Sequence, residues 1–597
     1  MIGTGTSVLL AFADKAKYPK VPPEFAEHVG WLIFAFGILL CLLAWFRSQS
    51  VRRALLALED PRSMAVLRIG FGIMTLICFL NLEPYWRMLW SDEGIFNLAY
   101  AQDKLGRQAL RGWVPPEGDV GFGTVLKAIF TLDPTLLGFF DWWAVVCFLW
   151  NKPSLFYMAG SPDFVVAYMV VFFIVLTMYT VGIWSRFTGV IAWLMMSGIY
   201  NRNALYWEGT DTVYRCFWWI LLFAQTGKAW SFDNWWRCRK LRRKGRLEIA
   251  GAPDAVNAGK EPIYRLVPVW PRYLFMLQLA ALYMVTGAVK TGSVWMEGNA
   301  LYYALNMDHF YRFEWHTQQI SYVFGTNVFR VMTWVTHWWE RCFPLVLAGV
   351  SLHFTLRNKD KPWYRAQDVW WRKWGARGTL IALWLLLWRI NILALPFCLA
   401  MEDGVPQDAA GAIAKMDFVY FRVIPAYVVN WYLLGKWPLR LFKGGRDLGR
   451  LTKKWSWFRV PELRFDQEWL RRWTLGRRVW LTLGFLFHGQ LIAFMNIGMF
   501  PFIMLMTYAG YVHGEEMRRA LLRVRNFAAK IPGLRKLAPH ERFFHPAPAH
   551  HTVRVRGRQV NDGIVLLLGL LGAGLVWAKV EQPEWIEDYA AWAKMWL

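Results

Sequence analysis

Ionisable side chains set in apolar sequence are costly to bury and mark places where chemistry could occur. The sharpest is Lys290, at the end of the apolar run Tyr273–Lys290, in Tyr-Met-Val-Thr-Gly-Ala-Val-Lys-Thr-Gly-Ser-Val-Trp-Met-Glu-Gly. Burial disfavours an ammonium ion, so a desolvated lysine can act as a base near neutral pH. The competing reading is a lysine snorkelling from a helix end to the headgroups. His488, in Phe-Leu-Phe-His-Gly-Gln-Leu, could transfer protons or bond a carbonyl ligand, or form a structural bond between helices. Glu340 and Arg341, in His-Trp-Trp-Glu-Arg-Cys-Phe-Pro, read as paired or bonded within a helical bundle, and Arg215 and Arg389 have similar structural readings. The turn Asn201-Arg202-Asn203 and Asp211 sit where two apolar runs are joined, a place where polar residues are ordinary. No Walker loop, nucleotide fingerprint, HExxH or GxSxG motif is present, and the histidines of His545–His551 lack spaced partners for a metal.

The elements that must position these residues follow from composition. The chain has 597 residues, 56% hydrophobic and only 18% charged, and its mean hydropathy is +0.24. Soluble domains carry about 25% charged residues, so too few charges remain here to coat a water-facing surface. A spanning helix needs about 20 mainly apolar residues. Runs of that kind are Val29–Phe46, Ala65–Leu82, Phe164–Trp184, Tyr273–Lys290, Val328–Phe354, Thr379–Ala400 and Gly563–Lys579, with Thr212–Gly227 and Phe418–Leu434 weaker. Phe164–Tyr200 and Trp480–His513 are too long for one span and read as tight hairpins, broken at Trp184-Ser185-Arg186 and near Gly498 and Pro501. The segment Phe122–Trp150, cut by Lys127, Asp133, Pro134 and Asp141, reads as interfacial or re-entrant. The expected fold is all-α, a polytopic transmembrane bundle of about twelve spans.

Charge tests that count. The net charge of +26 resides in short segments between apolar runs, as the positive-inside bias requires on cytoplasmic loops; binding to nucleic acid is not expected. With both termini outside, the inside loops are Arg47–Arg62, Lys228–Arg272, Arg357–Arg377, Lys436–Arg478 and Glu515–Arg558, the densest basic stretches. The alternation holds only if Trp480–His513 crosses twice. The seven cysteines form no CxxC pair and lie mostly in apolar runs, which argues against a disulfide framework or a zinc site. Basic loops without organelle-targeting features suit a bacterial inner membrane.

Several blocks carry a resemblance. Pro61-Arg62-Ser63-Met64-Ala65-Val66-Leu67-Arg68-Ile69-Gly70, Tyr200-Asn201-Arg202-Asn203, Trp230-Ser231-Phe232-Asp233, Gly287-Ala288-Val289-Lys290 with Trp295-Met296-Glu297-Gly298, and Asn496-Ile497-Gly498-Met499-Phe500 follow one another in that order. In type and order they resemble the horizontally transferred transmembrane (HTTM) family, which includes the vitamin K-dependent γ-carboxylases. The resemblance runs from about Asp60 to Val512. It divides the chain into residues 1–59 with a first span, an HTTM-like domain 60–512, a basic loop 513–560, and a last span with tail 561–597.

The resemblance implies that Lys290 falls on the lysine that deprotonates reduced vitamin K. Oxygenation of that quinol then gives a strong base that acts on glutamate. It further implies an exoplasm-facing cavity with Lys290, His488 and Asn203 in catalytic positions, and with Trp295, Glu297, Gly298 and Asn201 binding substrate. The chain departs from the carboxylases at Asn203, where they carry a histidine, and has no large lumenal segment to grip a propeptide. An amide hydrogen-bonds but does not shuttle protons. The expected function is therefore base-initiated chemistry on a quinol or another lipid-soluble molecule, with reduced vitamin K or a similar quinol as cofactor. Membrane lipids and a peptide or protein substrate are the expected partners. The rival is a non-catalytic membrane factor for maturation, export or immunity of another protein, with Lys290 merely paired to Glu297 or to a carbonyl. A secondary transporter would need an inverted repeat, and none is legible.

Overall fold

The computed structural model describes residues 23–47, 58–102, 154–157, 159–203, 206, 208–248, 260–288, 290, 293–347, 349–350, 370–398, 401–402, 405–406, 409–426, 429, 446–447, 464–465, 477–535 and 544–546, and the structural statements below concern these. Helix dominates, and the strands are two-residue pairs. Four helices are long and apolar enough to cross a membrane: His28–Phe46, Arg62–Asn81, Pro162–Val181 and Trp370–Leu393. The chain forms two compact units interleaved along the sequence, one of residues 55–349 and 477–553, the other of residues 1–54, 350–476 and 554–597.

The first of these units holds every candidate residue singled out above except Arg389. Its central helix is α1 (Arg62–Asn81), which packs against α2 (Pro162–Val181) and α4 (Gly209–Phe223). The expected hairpin at Phe164–Tyr200 is present as α2 and α3 (Ser185–Arg202). Ser161 caps α2 and Pro162 opens it, where a missing N–H costs nothing. Gly182 closes it in the left-handed conformation, φ 83°, which only glycine adopts freely. Asp233 Oδ1 then accepts the Trp184 backbone N–H at 2.8 Å and pins the turn. α5 (Trp270–Ala288) lies against α6 (Asn327–Cys342), and α7 (Arg478–Phe494) against α8 (Phe500–Thr507). The unit closes with α9 (Gly514–Ala528), which packs on α1.

Three expectations change. Lys290 is not in a helix: α5 ends at Ala288 and the lysine follows in irregular chain. Val328–Phe354 is not one uninterrupted span, because α6 stops at Cys342 before a turn at Phe343–Pro344. Proline has no N–H for the helix ladder and crowds the preceding turn. The Trp480–His513 hairpin does break between Phe494 and Phe500, but α8 and the 3₁₀ turn Tyr508–Tyr511 that continues it make its second arm shorter than a full crossing needs. The Phe122–Trp150 segment and the C-terminal run Gly563–Lys579 lie outside the described residues.

In the other unit, helix Pro23–Phe46 packs along Trp370–Cys398. Gly375 permits this, since a Cβ there would stand 2.4 Å from the Phe46 ring. Helix Ala409–Phe418 continues into a π-helical turn, Val419–Val423, and Trp388 Nε1 donates to Asp417 at 2.8 Å.

Candidate functional site

The site is built where α5, α6 and α7 meet. α6 approaches the last turn of α5 so closely that a Cβ on Gly287 would lie 2.6 Å from the Arg341 backbone nitrogen. Glycine at 287 is thus what lets the two backbones touch. The carbonyls at a helix C-terminus lack intrahelical partners and carry partial negative charge. Arg341 answers both needs, donating from Nε to the Gly287 carbonyl at 2.8 Å and from Nη2 to the Lys290 carbonyl at 3.4 Å.

The neighbouring residue on α6 completes the arrangement. Lys290 Nζ donates to Glu340 Oε2, and the two side chains are 19% and 6% exposed. The ammonium also stands 5.0 Å from the centroid of the Trp295 ring, a cation–π contact that strengthens as water is removed. His337, one turn before Glu340 and Arg341, is buried with its ring 6.1 Å from Trp295, and its Nε2 has no hydrogen-bond partner among the described residues. Lys290 is therefore a held, paired lysine rather than a snorkelling one.

A second polar group lies deeper. His488 on α7 is fully buried, and its Nε2 is 2.8 Å from the hydroxyl of Tyr283 on α5. The same hydroxyl is 2.8 Å from that of Tyr508, in the turn after α8. Gly484, one turn before His488, makes the room: a Cβ there would fall 2.0 Å from Tyr508 Oη and 2.7 Å from Trp339. Trp339 and Phe343 pack on the Tyr283 ring at 4.7 and 4.6 Å, closing the group off. Tyr283 owns one hydroxyl proton, so the chain has a direction. If it donates to His488, it accepts from Tyr508, and His488 Nδ1 carries the imidazole proton; reversal leaves Nδ1 as an acceptor. Nδ1 is buried without a partner among the described residues, so either orientation presents one unused polar atom. The charge of Lys290 acts electrostatically on His488, and that of Glu340 on Tyr283 and Tyr508, which makes the two groups one electrostatic neighbourhood.

The remaining sequence candidates have other partners. Glu297 is exposed and accepts from Asn299 Nδ2 at 3.0 Å; the carboxylate on Lys290 is Glu340, which corrects the pairing expected of Glu297. Gly298 is a turn residue at φ 82° packed on Arg330 and Trp334, where any side chain would be strained and crowded. Asn203 is fully buried and donates from Nδ2 to the Leu89 carbonyl at 2.8 Å, while the Asn201 carbonyl accepts from Tyr157 Oη at 3.1 Å. That turn is tied to the segment around Leu89 and to Tyr157. Asp211 belongs to the capping box that starts α4.

Sequence reading passed over Tyr283, Tyr508 and His337. Tyr283 lies in the Lys290 block, two helical turns upstream, and His337 shares a helix face with Glu340; those spacings were the available signals. Comparison with protein-family models, with curated proteins and with solved structures gives no match.

Proposed function

We propose that this chain is an HTTM-like polytopic membrane protein of about twelve spans that performs base-initiated chemistry on a quinol or another lipid-soluble molecule bearing an acidic hydroxyl. The observation that carries the reading is the Lys290–Glu340 pair held over Trp295, beside the Tyr283–His488–Tyr508 chain. In an apolar wall, separated charges are costly, and a proton shared across such a pair can pass to a neutral arrangement with an amine and a carboxylic acid. Lys290 would then accept a proton from the substrate. Glu340 would hold the proton that Lys290 gives up, and Arg341 would fix the loop that carries the lysine.

The residues present suit a quinol. His488 Nδ1, buried and without a partner among the described residues, offers a hydrogen bond to a ring oxygen, and Trp295 offers a flat apolar surface. When bound, such a molecule supplies the acidic hydroxyl. A cavity facing the exoplasm and a bacterial inner membrane belong to the same proposal, which rests here on the family resemblance and on the basic residues gathered in loops between apolar runs. Carboxylation of peptide glutamate is the narrower form suggested by the family resemblance.

Mass spectrometry of lipids co-purified with the protein tests this. A quinone-like molecule should accompany the wild type and be depleted in Lys290→Ala and Glu340→Gln. If the wild type retains none, and a supplied naphthoquinol is neither bound nor consumed, the catalytic reading falls. The rival membrane factor would then stand, with the buried ion pair serving only to join α5 to α6.

A further inference from the structure

α9 carries a pattern that the site does not use. At 100° per residue, Met517, Ala520, Leu521, Val524 and Phe527 fall on one stripe of this helix. Arg519, Arg523 and Lys530 flank it on one side, and Arg518 and Arg525 on the other. A helix of a soluble domain turns such a stripe inward. Here Val524 and Phe527 are 63% and 67% exposed, and Ile531 and Leu534 in the following turns are 38% and 43% exposed. Arg518 and Arg519 pair with Glu515 at the start of the helix, but from Met517 to His540 the sequence has no Asp or Glu, so the net charge along the stripe is strongly positive.

The start of α9 is firmly held. His513 and Glu516 form its capping box, Arg477 pairs with Glu516, and Arg518 Nη1 donates to the Phe544 carbonyl at 3.0 Å. Gly514 packs against Asp60 so closely that a Cβ would stand 2.6 Å from its carboxyl carbon. Asp60 lies just before α1, a helix long and apolar enough to cross a membrane, and Arg477 immediately precedes α7, a shorter apolar helix. The fixed end of α9 therefore sits at the level where two apolar helices begin.

We infer that α9 is an in-plane helix docked on an anionic lipid surface, with Val524, Phe527, Ile531 and Leu534 among the upper acyl chains and Arg519, Arg523 and Lys530 on lipid phosphates. Charge complementarity selects this occupant: cations on both sides of one apolar stripe match a plane of phosphates above hydrocarbon. The placement beside two apolar helix ends supplies that plane without further folding. The inference does not depend on any activity at Lys290.

Hydrogen–deuterium exchange on the full-length protein in nanodiscs tests it, comparing phosphatidylcholine alone with the same lipid containing phosphatidylglycerol. Each cation near an anionic surface is worth about a fivefold preference, so backbone exchange across residues 517–530 should slow at least about tenfold when the anionic lipid is present. The variant Arg519→Gln/Arg523→Gln/Lys530→Gln should lose that difference while exchange within α1 is unchanged. Should that variant fail to fold, Phe527→Glu must abolish the slowing by itself. Equal exchange of residues 517–530 in the two bilayers, or slowing only on addition of an acidic soluble protein, overturns the inference.

Discussion

Gly287→Ala probes the joint on which the site depends. An ordinary carbon contact begins near 3.4 Å, whereas the new methyl would lie 2.6 Å from the Arg341 nitrogen, 2.9 Å from Arg341 Cγ and 3.0 Å from Glu340 Cβ. The nearest of these is backbone, which cannot swing aside, so α6 must retreat by about 0.8 Å or more. Overpacking of this kind costs about 1–3 kcal/mol. The retreat also stretches the 2.8 Å bond from Arg341 Nε to the Gly287 carbonyl; a bond to a charged donor contributes about 1.5–3 kcal/mol. Alanine regains about 1 kcal/mol of helix propensity. The expected net loss is about 1.5–5 kcal/mol. Gly489→Ala is the control, because a Cβ there meets nothing within 4 Å, and it should be neutral or slightly stabilising. Equilibrium unfolding in mixed micelles measures both. Equal stability of Gly287→Ala and Gly489→Ala would refute the close-contact argument, and with it the reason given for the position of Glu340 beside Lys290.

Two further outcomes follow from the polar groups. Tyr283→Phe leaves His488 Nε2 and the Tyr508 hydroxyl without their shared partner; each stranded buried group costs about 1–3 kcal/mol, and unfolding in micelles should show that loss, whereas an unchanged midpoint would mean that the chain of hydrogen bonds contributes nothing. Glu59, whose two carboxylate oxygens lie 2.9 and 2.8 Å from Arg272 Nε, has its pKa pushed up to about 7 by burial against the opposing pull of Arg272. The folded state therefore holds this proton more tightly than the unfolded chain, so the favourable contribution is complete below about pH 4.5 and is lost as pH rises through about 7. Thermal unfolding across that window should fall less steeply in Glu59→Gln than in the wild type; parallel curves would remove Glu59 as the titrating group.

Much of the local structure was legible because its causes are local. The Ser161 cap and Gly182 in the left-handed conformation bound the first arm of the Phe164–Tyr200 hairpin locally, whereas Asp233, 49 residues away, secures its turn from outside. Gly498 and Pro501 marked the second break in the same way. The limits are equally local: the run of apolar residues through Phe343 predicts an unbroken span, whereas Pro344 interrupts it. Lys290 was legible as a costly charge in an apolar context, but its escape from the helix was not, because the apolar pattern continues past Ala288.

The sequence by itself determined that the chain is helical, that several of its helices are apolar enough for a bilayer, and that Lys290 and His488 are costly polar groups in apolar runs. Tertiary structure alone decided their company. Glu340 stands 50 residues from Lys290, and Tyr283 is 205 residues from His488 and 225 from Tyr508. Hydrophobic periodicity says which face of a helix is buried, but not which other helix it meets. That choice was made by close approach at Gly287 and Gly484, where the missing side chains admit a backbone and a hydroxyl. A glycine in an apolar run carries no sign of what will fill its space, so the partner of Lys290 became visible only once α6 was laid against α5.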